Sequence, residues 1–145
     1  FVAGHSAGGY LTSMIGLDKR WLEPYGIDPD TAFVALIPYS GQVVTHFERR
    51  RELGLPDTQP LVDDMAPLSY VRPDCRPMLI LSGDREREML GRYEENAYFW
   101  RMMRVAGHPD VRICEFDGFD HGNMPQAGHF VAVRYIREME RRMDR

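Results

Sequence analysis

The chain has 145 residues, 43% of them hydrophobic and 28% charged, and a net charge of -4. This is the composition of an ordinary folded domain, and interspersed acidic residues leave the arginines no unopposed basic stripe for nucleic acid. No apolar run is long enough to span a bilayer, and two cysteines, Cys75 and Cys114, are too few and too far apart for a disulfide framework or a zinc ribbon.

Phe1-Val2-Ala3 reads as the end of a buried strand, and Tyr10 to Ile15 as a helix. Between them lies Gly4-His5-Ser6-Ala7-Gly8-Gly9, which fits G-x-S-x-G, a sharp strand-to-helix turn that lifts a serine hydroxyl above a parallel sheet. Small residues suit a turn this tight, and a side chain at Gly4 or Gly8 is expected to collide with the neighbouring backbone. A polar stretch from Asp18 to Asp30 follows, then Phe33-Val34-Ala35-Leu36-Ile37, a continuous apolar run of the kind found in strands buried on both faces. Pro38 and Gly41 are expected to end it. Residues 42–77 contain five prolines and no long periodic segment, so they read as an irregular excursion over the carboxyl edge of the sheet, with a short helix around His46 to Leu53.

Met78 to Leu81 predicts a further buried strand, closed by Ser82-Gly83. The next helix places Tyr93, Ala97, Trp100, Met103 and Ala106 at helical spacing, Gly107 supplies a left-handed cap and Pro109 blocks continuation. Val111 to Phe116 is a strand in which Cys114 reads as a buried free thiol. The final helix carries Ala132, Ile136, Met139 and Met143 on one face. Alternating strands and helices predict an α/β fold, a parallel sheet with helices on both faces. The chain opens on a strand end without an initiator methionine, so residues 1–145 are expected to form the C-terminal portion of a single domain whose N-terminal part lies outside this sequence.

A serine hydroxyl needs a base to become a nucleophile, and the base needs an acid to orient it. On an elbow of this kind the chain order is serine, acid, histidine. His5 lies inside the elbow, His46 and His108 lack an acid context, and His129 is expected to open the last helix. His121, in Phe119-Asp120-His121-Gly122 just beyond the last strand, stands on the sheet edge where the base belongs. The loop Ser82-Gly83-Asp84-Arg85-Glu86-Arg87-Glu88 offers the acid, with Glu86, three residues after the glycine, preferred and Asp84 as the alternative. The N–H of Ala7 is the expected oxyanion donor; a second would come from an earlier loop that is not in this chain. A metal site built from Asp120, His121 and His129 lacks ligand spacing, and nothing in the sequence calls for a cofactor.

Gly4-His5-Ser6-Ala7-Gly8-Gly9, Ala66-Pro67-Leu68-Ser69-Tyr70-Val71, Leu79-Ile80-Leu81-Ser82-Gly83-Asp84 and His121-Gly122 together resemble the α/β-hydrolase esterases. The nearest groups are the carboxylesterase/lipase-like, feruloyl-esterase-like and kynurenine formamidase-like branches. The resemblance implies an α/β-hydrolase fold with Ser6 as nucleophile, His121 as base and a loop carboxylate as acid. It also implies a small-molecule ester substrate cleaved through an acyl-enzyme. Arylformamidase or small-peptidase chemistry on the same residues, a non-catalytic binding module, or a truncated remnant are the alternatives, and residues 1–145 alone are expected to be inactive. Tyr39, His46, Phe47 and Tyr70 are candidates to line a substrate pocket. The sequence leaves oligomeric state and compartment open.

Overall fold

The computed structural model describes residues 1–145. Four strands, β1 (Val2–His5), β2 (Leu36–Tyr39), β3 (Met78–Gly83) and β4 (Val111–Phe116), form one parallel sheet in the order β1-β2-β3-β4. The helices are α1 (Ala7–Leu17), the short α2 (Pro29–Ala32) and α3 (Phe47–Glu52), α4 (Arg92–Val105) and α5 (Met124–Met143). This is the α/β arrangement expected from the alternation of patterns.

Side chains alternate across the two faces of the sheet, so β3 feeds two cores at once. Leu79 and Leu81 point with Ala35, Ile37 and Tyr39 toward α5, where Met124, Ala132, Tyr135 and Met139 cover them. Met78 and Ile80 point the other way with Leu36, and meet Leu17 of α1 and Phe99 and Met103 of α4. Every residue of β3 is buried, as a strand covered on both faces requires.

Three elements differ in detail from the sequence reading. Strand β2 begins three residues later than the apolar run and includes Pro38, which pairs in register with Gly4 of β1. Helix α4 buries Arg92, Asn96, Phe99 and Met103, whereas Tyr93, Ala97 and Trp100 are only half-buried and Ala106 is exposed. The core face is thus rotated from the apolar stripe, because two polar side chains on it have buried partners. Helix α5 starts at Met124, five residues before His129, and Met143 at its far end is exposed. Gly107 does end the α4 region in a left-handed conformation, with φ 90°.

Within the 42–77 excursion, α3 covers most of the segment expected to be helical, with His46 as its N-cap; its Nδ1 accepts from the Glu48 N–H. Cys75 is buried and Cys114 half-buried, both as free thiols. Burial raises the Cys75 thiol pKa to about 12, so it stays protonated and inert near neutral pH.

Candidate active site

The elbow is steric in origin. Ser6 sits at φ 58°, a left-handed conformation that costs a non-glycine residue energy and is kept only where its surroundings impose it. The Ser6 N–H donates to the carbonyl of Tyr39 at 2.9 Å, and the Ser6 carbonyl accepts from the Tyr10 N–H to open α1. A Cβ on Gly4 would lie 2.4 Å from the carbonyl oxygen of Gly8, so β1 and α1 meet there without room for a side chain. Gly8 itself differs from expectation: a Cβ added to it would meet nothing within 4 Å. The second crowded contact is between Gly9 and Gly41, where either Cβ would strike the other glycine's backbone at 2.9 Å or less.

His121 lies beside Ser6 at the carboxyl edge of the sheet. Its Nε2 lies 2.9 Å from Ser6 Oγ, and its Nδ1 lies 2.9 Å from a carboxylate oxygen of Glu88. The sequence reading expected Glu86 or Asp84 in that place; the structure brings Glu88 to His121 instead. Glu86 is exposed, and its N–H donates to Asp84 Oδ1. Asp84 spends its other oxygen on the Gly118 N–H at 2.8 Å. Neither carboxylate is among the hydrogen-bond partners of His121.

The reason is local backbone coiling. Residues 84–88 make a turn in which the N–H groups of Arg87 and Glu88 both donate to the Asp84 carbonyl. One turn of this kind swings residue 88 back over the strand end and sends residue 86 outward to solvent. Glu88 Oε1 then accepts from the Gly83 N–H at 3.1 Å, and Oε2 accepts from its neighbour's N–H at Met89. Asp84 instead ties the acid loop to the histidine loop, since its own N–H donates to the Phe119 carbonyl while its carboxylate holds Gly118.

The Glu88 side chain is fully buried, while that of His121 keeps 21% of its surface open. Burial works to raise the Glu88 pKa, but hydrogen bonds from His121, Ser40, Gly83 and Met89 outweigh it and bring the carboxyl down to about 2. It is therefore an anion, and only an acceptor, throughout the range in which histidine titrates. An anionic partner assigns the proton of neutral His121 to Nδ1, leaving Nε2 as a lone pair facing the Ser6 hydroxyl.

Two further groups surround this line and were missed in the sequence. Ser40, fully buried at the end of β2, places its Oγ 2.5 Å from Glu88 Oε1 and 3.1 Å from His121 Nδ1. His5 donates from Nε2 to the His121 carbonyl at 2.8 Å, and the two rings lie 4.7 Å apart. Burial pushes the His5 imidazole below its usual pKa, partly offset by that hydrogen bond. A histidine inside the elbow and a serine after a strand carry no motif, so only the assembled fold reveals them.

The N–H of Ala7, at the first position of α1, belongs to the helix-start groups that have no intrahelical acceptor. Of the four expected pocket residues, Phe47 lines a cavity of about 310 Å³ beside Gln42, Arg50, Met89 and Arg92. Tyr39 instead packs beneath α5, with its hydroxyl 3.3 Å from His129 Nδ1, and the Tyr70 hydroxyl donates to the Asp64 carbonyl. His46 is occupied at the α3 cap. His108 is buried, with Nε2 3.1 Å from the Cys75 carbonyl, outside the site. No cluster of three or more histidine, cysteine or carboxylate side chains has a metal-binding arrangement. No helix is long and apolar enough to cross a membrane.

Neither a protein-family profile nor a curated protein matches the chain. Solved structures do. The esterase Est2 of the planctomycete Thermogutta terrifontis, bound to propionate, superposes with a TM-score of 0.71 at 21% identity, over 94% of this chain and 54% of that one. Its butyrate-bound form gives 0.69 at 20% identity, over 94% and 55%. The same enzyme phosphorylated by paraoxon gives 0.65 at 21% identity, over 94% and 52%. This chain has an α/β-hydrolase fold. It spans about half the length of the esterase structures it matches. On this fold, the serine, the histidine and the buried glutamate come from three separate loops at the carboxyl ends of β1, β4 and β3, the sheet edge where open α/β folds bind ligands.

Proposed function

We propose that this α/β-hydrolase supplies the nucleophile, base and acid of a serine hydrolase acting on carboxylic esters. The observation that carries the reading is the unbroken line from Ser6 Oγ to His121 Nε2 and from His121 Nδ1 to Glu88, with both links at 2.9 Å. In the acylation step the Ser6 oxygen bonds to the ester carbonyl carbon as its proton passes to His121 Nε2. Glu88 holds the imidazolium through Nδ1–H, and the Ala7 N–H donates to the developing oxyanion. The C–O bond to the alcohol then breaks, and His121 hands its proton to the departing oxygen. Water repeats the sequence in the opposite sense, giving up a proton to His121 and releasing the acid with Ser6 restored. The ester preference and the expectation of short acyl groups draw on Est2, whose structures carry propionate and butyrate.

A fluorophosphonate probe tests the nucleophile directly. In the protein as its gene encodes it, the label is expected on Ser6 by peptide mass spectrometry, and Ser6→Ala abolishes it. Label on another serine, or none at all, overturns the assignment. Hydrolysis of p-nitrophenyl acetate through butyrate, with Ser6→Ala reduced at least about 10³-fold, is expected alongside it. A protein that releases only formyl groups from aryl formamides would carry the formamidase reading instead.

A further inference from the structure

Ser40 has features that packing does not explain. It is a non-glycine residue at φ 46°, fully buried, and its hydroxyl reaches two members of the catalytic line. A buried hydroxyl in the left-handed region costs conformational energy, so its persistence calls for compensating contacts. Those contacts come from every side. The Ser40 N–H donates to the Leu81 carbonyl at 2.6 Å, and the Ser40 carbonyl accepts from the buried guanidinium of Arg92.

The start of α4 reads the backbone that follows Ser40 residue by residue. Asn96 Nδ2 donates to the Gly41 carbonyl at 2.8 Å, and Glu95 Oε2 accepts from the Val43 and Val44 N–H groups at 3.1 Å each. Arg92 and Glu95 pair with each other at 3.1 Å, so this buried clamp is neutral as a unit. Gly41 is pressed against Gly9 of the elbow helix. Ser40 is thus fixed by the clamp on one side and by the nucleophile's own support on the other.

Its hydroxyl has one proton to give. Glu88 is anionic and can only accept, so Ser40 donates to Glu88 Oε1, and its lone pairs face the Nδ1–H of His121. Glu88 Oε2 is then the oxygen presented to the imidazole. Oε1 also accepts from the Gly83 N–H and Oε2 from the Met89 N–H, so backbone donors hold the carboxylate in place, and Ser40 is the one donor to it that also touches the imidazole.

We propose that Ser40 is a positioning residue of the catalytic line, bridging Glu88 Oε1 and His121 Nδ1 and so fixing the aim of the imidazole between the carboxylate and Ser6. The inference rests on the serine-hydrolase reading above. It concerns an interaction that tightens as positive charge develops on His121, so it acts on turnover and not on substrate binding.

Ser40→Gly is the decisive variant, because glycine adopts φ 46° without strain while the CH2OH group and its hydrogen bonds are removed. In the protein as its gene encodes it, kcat for p-nitrophenyl butyrate is expected to fall about 10- to 100-fold, with KM within about two-fold and a Tm within a few degrees of the parent, since relief of the backbone strain offsets the lost hydrogen bond. Ser40→Thr keeps the hydroxyl on a side chain that dislikes this backbone, so it is expected to lower Tm yet exceed Ser40→Gly in kcat. That crossing of stability and activity is what a purely structural serine does not produce. Retention of kcat within two-fold in Ser40→Gly overturns the proposal, as does a loss of kcat that follows Tm across both variants. A parent protein that neither hydrolyses the ester nor takes the fluorophosphonate label overturns the serine-hydrolase reading itself, and this inference with it.

Discussion

Glu88→Gln is expected to lower kcat on an activated ester by about 10³- to 10⁴-fold, while Glu86→Gln stays within about two-fold of the parent. The glutamine keeps the shape of the side chain but replaces a double acceptor by one acceptor and one donor. If its amide turns the NH2 toward His121, the imidazole must carry its proton on Nε2, where it can no longer take one from Ser6. Asp84→Asn retains an acceptor in the contacts with Glu86 and Gly118, and its cost is expected to be a few-fold, through a looser junction of two loops. Steady-state kinetics on the three variants decides the matter. A collapse in Glu86→Gln or Asp84→Asn with Glu88→Gln active would move the acid to the other carboxylate.

The same substitution has a signature in stability. The Glu88 pKa falls on folding from 4.5 to about 2, so its contribution to stability is fully present above about pH 4.5. It is lost as pH falls toward 2, where the folded protein too must protonate the group. Acid unfolding of the parent should therefore steepen through that window, and that of Glu88→Gln should be flatter there. The opposite ordering would mean that the carboxylate is not held as an anion.

The second large effect is steric. Gly41→Ala is expected to destabilise the fold by about 3 kcal/mol or more and to lower Tm on the order of 10 °C, because its Cβ would stand 2.5 Å from the Gly9 carbonyl carbon and 2.6 Å from the Tyr10 nitrogen. Both are backbone atoms, so no side-chain rotation relieves the overlap. Gly8→Ala is the contrast: its Cβ enters open space within α1, and the gain in helix propensity is expected to raise stability by up to about 1 kcal/mol. Thermal melts of the two variants test this, and equal destabilisation would show that the elbow is crowded at Gly8 as well.

What was readable in the sequence divides along a physical line. The elbow was legible because its geometry is settled by sterics within six consecutive residues, Gly4 to Gly9. The parallel sheet was legible because buried strands such as Met78 to Leu81 are continuously apolar. The placement of His121 beside Ser6 was legible from the chain order expected of such an elbow. Which carboxylate meets His121 was not legible by counting residues, since the turn at 84–88 decides which one returns to the strand end, and Asp84, Glu86 and Glu88 are chemically alike. The buried face of α4 was misread for a related reason. Hydrophobic periodicity finds apolar side chains, whereas Arg92 and Asn96 are buried because the backbone at Ser40 and Gly41 needs their donors. Ser40 itself gave no signal, because a lone serine after a strand is commonplace until its neighbours are known.

The hydrogen bond between Ser6 and His121 joins residues 115 apart in a chain of 145, and those from Ser40 bridge gaps of 81 residues to His121 and 48 to Glu88. Such contacts close the largest loops available, and each is rewarded only after the entropy of closing them has been met. Helices α1, α4 and α5 can form locally, but the reactive geometry exists only when β1, β2, β3 and β4 have all found register. The pairing of these strands is therefore slow in kind, governed by long-range parallel contacts, and the alignment of Ser6, His121 and Glu88 is its final event. Far-ultraviolet ellipticity is expected to recover before the Ser6–His121 contact forms, and the lag between them is the time the sheet takes to bring β1 and the loop after β4 together.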